Sequence, residues 1–204
     1  MDAFEEPETT REEILAAAYR ALCTHGYAEL TVERIGEEFD KSVSLIYHHY
    51  DGKDDLLVAC LEFMLESYRS ETEAGPVSDP REAMERLCDR LVLTDAPPGG
   101  QRFVRALVGL RGQAPHNGAY RDYFTRSDRF FGDRIEAIIE AGIEDGSFRD
   151  VDPERAAAMI NTVFSGAFVR YATTDDERWI PAVREELRAY NERTLYADPD
   201  GDGT

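Results

Sequence analysis

The sequence predicts an all-α protein in two parts: an N-terminal three-helix helix-turn-helix unit, joined by a long helix to a larger helical C-terminal region. Three observations predict it. Apolar residues recur at intervals of three and four from Ile14 onward. There is no sustained alternation of period two, and no Asn-Gly or Asp-Gly lies between β-branched runs. Helix starts are punctuated. Thr10-Arg11-Glu12-Glu13 has the form of a capping box, with Glu13 reaching back to the cap. Asp79-Pro80 and Asp152-Pro153 each pair a capping Asp with Pro at the first helical position.

The elements follow in order. A first helix carries Ile14, Ala18 and Leu22, and a short second one carries Val32, Ile35 and Phe39. A third short helix lies near Ser42 to Tyr50, with the Ser42 hydroxyl placed to cap it. Ile46 and Tyr50, four apart, face inward on it, while Val43, Ser44, Tyr47 and His48 face outward. The fourth helix carries Leu57, Leu61, Met64 and Tyr68. Gly75-Pro76 then breaks the pattern and marks a soft boundary. Further helices are expected at about 80–94, 101–113, 117–145, 153–172 and 176–195. The tail from Ala197 to Thr204 is too polar to pack and is expected to be disordered.

Charge is unevenly distributed. The chain has 204 residues, with 42 Asp and Glu against 23 Lys and Arg, a net charge of −19. Of those cations 21 are Arg and only Lys41 and Lys53 are Lys. The acids are spread over every segment. This pattern resembles proteins adapted to molar intracellular salt, where repulsion is screened within a few ångströms, and it suggests a halophilic prokaryote. The alternative, an acidic protein of ordinary cytoplasm, would carry more lysine. Against this background, no carboxylate occurs from Lys41 to Tyr50, and the two lysines bracket that island.

Here a resemblance becomes specific. Thr10 to Phe39, followed by Ser44 to Met64, resembles the DNA-binding domain of the tetracycline-repressor (TetR) family of transcriptional regulators. The His25-Gly26-Tyr27 ending of helix 1, Thr31 opening helix 2, the segment from Ile46 to Tyr50 and the spacing from Lys53 to Leu56 fall in the family's order. The resemblance implies a homodimer on a double-stranded DNA operator, with a helix-turn-helix domain at 10–56 and a helical effector-binding and dimerisation domain at 57–196. It places Thr31 at a phosphate-holding helix start and Val43 and Ser44 toward the groove. Ser42 opens the same helix. Tyr47, His48 and His49 fall at backbone and base-edge positions, and Lys53 at a phosphate position. Tyr and imidazole groups can serve phosphate oxygens without formal charge. Lys53 opposes the local helix dipole, which points to an outside anion. Lys41 stands where an apolar residue is usual, and is expected to pack its stem and turn its amine to DNA. Gly36 stands where Ala is frequent, at a cost of about 1 kcal/mol in helix propensity.

After Pro76 the resemblance is looser, but the run from Ile135 to Phe168 still matches a long helix, a Gly-x-Phe turn and a dimer-forming helix. The last two helices are thereby implied to pair with their copies. Met159, Ile160, Val163, Phe164, Ala167 and Phe168 make a broad apolar face, part of which must serve the chain's own core. Family analogy also implies a pocket for an unknown small-molecule effector. Its candidate lining is Phe103, Leu107, Tyr120, Tyr123, Phe124, Phe164 and Phe168, with Arg111 and His116 as polar anchors. Core packing is the competing role for most of these.

Several classes are set aside. No Walker loop, Gly-x-Ser-x-Gly or His-Glu-x-x-His is present, so no enzyme is expected. No metal or cofactor is expected either. Adjacent His48 and His49 point to different helix faces and are poorly placed to ligate with His25 or Cys23. Cys23, Cys60 and Cys88 are far apart and suit buried thiols in a reducing cytoplasm. No apolar run spans a membrane, and the acidic N-terminus is unlike a signal peptide. Two functions compete: a ligand-responsive repressor, and a helical small-molecule-binding or interaction protein of the same fold that has lost specific DNA binding. The acid-free helix favours the first.

Overall fold

A computed structural model describes residue 4 and residues 6–72, 77–90 and 100–197. They form nine α-helices: α1 (Thr10–Glu29), α2 (Val32–Glu37), α3 (Val43–His49), α4 (Lys53–Thr72), α5 (Pro80–Arg90), α6 (Gly100–Arg111), α7 (Gly118–Glu144), α8 (Pro153–Thr173) and α9 (Trp179–Tyr190). A π-helical turn, Asn191–Leu195, extends α9. Among the described residues there is no strand, only a single bridge between Phe148 and Tyr196. The expected continuation of α5 to 94, and all but Ala197 of the polar tail, lie outside the described residues.

Two compact units result, 1–75 with 98–127, and 76–97 with 128–204. The division differs from a cut after residue 56. All of α4, all of α6 and the first turns of α7 go with the helix-turn-helix, because α1 packs on both α4 and α6. The core of this unit is formed by Ile14, Leu15, Ala18, Leu22, Ile35, Ile46, Leu56, Leu57 and Leu110, all buried. In the second unit Met84, Ile135, Ile139, Ile160, Leu187 and Leu195 are buried, and α5 packs on α9. The Gly-x-Phe turn forms at Gly146, whose φ of +80° favours glycine. Phe148 then folds back onto Gly142, leaving no room for a Cβ there.

The first cap is one residue earlier than the sequence suggests. Thr9, not Thr10, accepts from the amide of Glu12 at 3.2 Å, and the Glu12 carboxylate takes the Glu8 amide at 2.8 Å. Thr9 and Thr10 both precede a Glu at the required spacing, so the pattern alone does not choose. Glu13 is thereby released for another partner. The Asp79 and Asp152 caps accept from Glu82 and Arg155 at 2.8 and 3.0 Å, as expected.

Gly36 also has its reason. A Cβ on it would overlap Cγ2 of Val43, so absence of a side chain lets α3 close onto α2. Ala at this position would gain about 1 kcal/mol in an open helix. Here Gly36→Ala is expected to destabilise the protein by about 1–3 kcal/mol through overpacking, read as a lower urea midpoint. Combining it with Val43→Ala should recover most of the loss. A raised midpoint for Gly36→Ala alone would show that the turn has slack.

Candidate nucleic-acid interface

The helix-turn-helix is built from inside outward. Thr31 caps α2 by accepting from the Arg34 amide at 3.3 Å, and Ser42 caps α3 by accepting from the Ser44 amide at 3.3 Å. Ile46 and Tyr50, on the inner side of α3, are 1% and 7% exposed. Arg20 of α1 donates to the Glu38 carbonyl at 2.7 Å and holds the end of α2. Arg34 donates to the Glu29 carbonyl at 2.6 Å and holds its beginning. The turn between α2 and α3 is thus fixed by caps, an apolar underside and two arginines.

The outer side of α3 presents Ser44, Tyr47, His48 and His49 to solvent, with Tyr47 53% exposed. The hydroxyls of Ser42 and Ser44 share a hydrogen bond at 2.8 Å, and the rings of His48 and His49 meet edge to face at 5.5 Å. Val43 is only half-exposed because it covers Gly36. Tyr47 donates to the Glu33 carboxylate at 3.4 Å. Partial desolvation and the Glu33 charge push this phenol up, so it remains a protonated donor.

Both lysines have partners inside the domain. Lys41, which is exposed, forms an ion pair with Glu13 and donates to the Thr10 hydroxyl at 3.2 Å, so its amine turns to α1. Lys53 donates to the Tyr27 carbonyl at 3.2 Å and lies 4.2 Å from the centroid of the Tyr27 ring. A cation at a helix start is therefore balanced by the carbonyl end of α1, whose dipole is negative there. Gly26, at φ +70°, breaks α1 just before Tyr27 and turns that residue toward α4.

Next to Lys53, Asp54 is the centre of a cluster. Its Oδ1 accepts from the Tyr27 hydroxyl at 3.0 Å and from the Tyr120 hydroxyl at 3.0 Å. Burial, then the bond to Asp54, pushes Tyr27 up. Tyr120 is pushed up by burial and by the Asp54 charge, so both phenols stay donors. Composition and periodicity do not reveal this cluster. The only trace in the sequence is the His25-Gly26-Tyr27 pattern.

The effector-pocket candidates divide. Tyr120, Tyr123 and Phe124 are buried in the first unit, Phe103 and Leu107 are half-buried there, and His116 is exposed. Arg111 lies 5.0 Å from the centroid of the Phe124 ring. Phe164 and Phe168 are half-buried on α8 in the second unit. Tyr120 is committed to Asp54, and packing accounts for its ring.

The family model described as bacterial regulatory proteins, tetR family, matches residues 14–60. A second, described as BetI-type transcriptional repressor, C-terminal, matches residues 80–197. A solved TetR transcription regulator from Haloarcula marismortui is 34% identical, with a TM-score of 0.80 over 91% of this chain and 97% of that one. The HTH-type transcriptional repressor AcnR of Corynebacterium diphtheriae is 24% identical over 88% of this chain and 92% of its own. The HTH-type transcriptional regulator BetI of Brucella anthropi is 24% identical over 81% of this chain and 83% of its own.

Tyr27→Phe and Tyr120→Phe are each expected to lower stability by about 1–2 kcal/mol, the scale of a hydrogen bond to a partly solvated charge. The double variant should lose more than the sum, because each single variant leaves Asp54 Oδ1 one hydroxyl donor and the double variant leaves it none. Urea unfolding is the suitable measurement, since guanidinium would itself screen the charges of this chain. Two neutral single substitutions would show that Asp54 is served by solvent.

Proposed function

This chain belongs to the TetR family of DNA-binding transcriptional repressors, and on that premise we propose that it works as a ligand-responsive homodimer on a palindromic operator. Residues 10–56 read DNA, and residues 57–196 bind the effector and dimerise. The observation that carries the DNA site is the outer side of α3, where Ser44, Tyr47, His48 and His49 lie exposed on a helix anchored from beneath. Ser44 contacts a base edge, and Tyr47 and the two imidazoles serve backbone and base edges. Thr31, Lys41, Ser42, Val43 and Lys53 frame the site.

The dimer forms through α8 and α9. Val163, Phe164, Ala167 and Phe168 are only half-buried within the chain, and Val169 is 43% exposed. A Cβ on Gly166 would meet nothing within 4 Å, so a second helix can approach there. Two-fold pairing sets half-sites about 34–36 Å apart. An effector preferring the state with mis-spaced recognition helices lowers operator affinity by its differential affinity for the two states. The protein is a cytoplasmic regulator rather than an enzyme; among the described residues no helix is long and apolar enough to cross a membrane.

A mobility-shift titration with the chain's own promoter region, in high KCl, tests this. Tyr47→Ala is expected to weaken binding about tenfold across sequences, and Ser44 substitutions to change base preference. Lys53→Ala is expected to weaken binding across sequences as well. A folded dimer that shifts no sequence specifically would end the operator reading.

The composition also supports life in concentrated salt. Raising KCl from about 0.1 M to about 2 M shortens the screening length several-fold. The melting temperature should then rise by roughly 2–4 °C or more, the scale of about 1 kcal/mol in a chain of this size. A flat or falling melting temperature would count against the halophilic origin.

A further inference from the structure

Phe4 precedes the first helix, yet it is buried, at 8% exposed. Its ring stacks on Tyr19 of α1, with centroids 4.8 Å apart and planes 25° apart, and meets Phe63 of α4 at 5.4 Å and 35°. Tyr19 in turn meets Phe103 of α6 at 5.7 Å. Tyr19 stands ten residues beyond the Thr9 cap, about 15 Å along the axis of α1. A residue that comes before α1 in the chain therefore packs nearly three turns up its side.

The surroundings of Phe4 suit a ring, whereas the ties between Phe4 and α1 are slight. Glu6, Glu8 and Thr9 are exposed, and among the described residues no hydrogen bond joins Glu6 or Pro7 to the rest of the chain. The first anchored group is the Glu8 amide, on the Glu12 carboxylate. One side chain thus holds the N-terminal segment. The gain from burying a single ring and the loss from ordering the residues that carry it are of the same order. Segments balanced in this way open locally while the rest of the unit stays folded. Tyr19 and Phe63 are only half-buried with Phe4 in place, so lifting it uncovers two apolar rings. Both lie within 35° of the Phe4 plane, an arrangement that favours a flat guest over a puckered one. Burial pushes the Tyr19 phenol up, and it does the same to the neighbouring Cys23 thiol, so neither carries charge at neutral pH.

We propose that α1, α4 and α6 form a binding site for a neutral planar aromatic molecule, which Phe4 fills as a tethered competitor. When the N-terminal segment lifts, a free ring takes the place of the Phe4 ring on Tyr19 and Phe63. The tether sets a threshold. A short flexible tether holds its ring at an effective concentration in the millimolar range, so a free guest of similar intrinsic affinity must reach about that level to displace it. The site belongs to the first unit alone and shares only Phe103 with the effector-pocket lining expected from the sequence. It stands whether or not the operator reading does.

Full-length protein, isotope-labelled in its ten phenylalanine rings, is followed by NMR. It is titrated with benzyl alcohol, which copies the Phe side chain, and separately with cyclohexylmethanol, its puckered counterpart, to about 20 mM each. The Phe4 signal is assigned by its loss in Phe4→Leu, which keeps an apolar side chain at that position. In the wild type, benzyl alcohol is expected to move the Phe4 signal saturably toward the position of an exposed ring. Phe4→Ala should bind it about tenfold more tightly, with magnetisation transfer from the alcohol to the Phe63 ring. Cyclohexylmethanol should bind either protein about fivefold more weakly than benzyl alcohol does. The wild-type titration decides the matter even if Phe4→Ala does not fold. A Phe4 signal that does not move saturably, equal binding of the two alcohols, or equal affinity in wild type and Phe4→Ala would overturn the proposal.

Discussion

The Asp54 carboxylate governs how the first unit is put together. It stands in the first turn of α4 and takes hydroxyls from Tyr27 at the end of α1 and Tyr120 at the start of α7, both at 3.0 Å. Its neighbour Lys53 closes on the Tyr27 carbonyl and ring. A half-buried charge in such a place must be served by donors, or it costs more than the packing around it returns. Serving it fixes three helix ends against one another. The recognition helix α3 has only seven residues and cannot position itself. Its orientation is inherited from α1, α2 and α4, through Ile46, Tyr50 and the start of α4.

Local signals in the sequence carried the architecture well. Helical periodicity, the Asp-Pro starts, the Ser42 cap and the buried pair of Ile46 and Tyr50 all depend on residues within a turn or two of each other. What the sequence does not show depends on partners distant in it. Lys53 opposes the dipole of its own helix, which suggests an external anion. Its partner in the structure is a carbonyl 26 residues away. Gly36 looks like a propensity defect until Val43 is placed over it. The choice between Thr9 and Thr10 as cap was hidden by two overlapping copies of one motif. The π-helical turn at Asn191 follows a pattern that reads as uninterrupted helix, and nothing in the sequence signals the widening.

The acid-free island changes meaning in three dimensions. Along the chain it runs from Lys41 to Tyr50. In space, Glu13 reaches Lys41 from α1, and Glu33 reaches Tyr47 from α2. The surface is therefore not basic, and the two lysines are already engaged. At molar salt, counterion release offers little driving force in any case. Recognition on such a surface has to come from shape, apolar contact and neutral hydrogen bonds. Those are the interactions that Ser44, Tyr47, His48 and His49 can make. On the proposed DNA-contact role of Tyr47, Glu33 adds a condition, because the hydroxyl would exchange its carboxylate partner for a phosphate or base edge as DNA docks. The exchange is close to even for the hydroxyl, while the nearby negative charge penalises a loosely fitted phosphate more than a well-placed base edge.

The same magnitudes bear on how a small molecule could release DNA. Allosteric coupling between two sites is typically about 1–3 kcal/mol. A hydrogen bond to a charged group contributes about 1.5–3 kcal/mol when sheltered, less where solvent reaches it as at Asp54. Losing the Tyr120 bond to Asp54 is therefore comparable in size to the whole coupling such a regulator needs. Tyr120 belongs to the first turn of α7, and Asp54 to the first turn of α4 beside the DNA-reading elements. An effector state that displaced the start of α7 would cost the α4 end this bond, and would loosen Tyr27 and Lys53 through the shared acceptor. No large motion of the core is required. A bistable hydrogen bond at a helix end, whose two states differ by about the coupling energy, is sufficient to bias the spacing of two recognition helices.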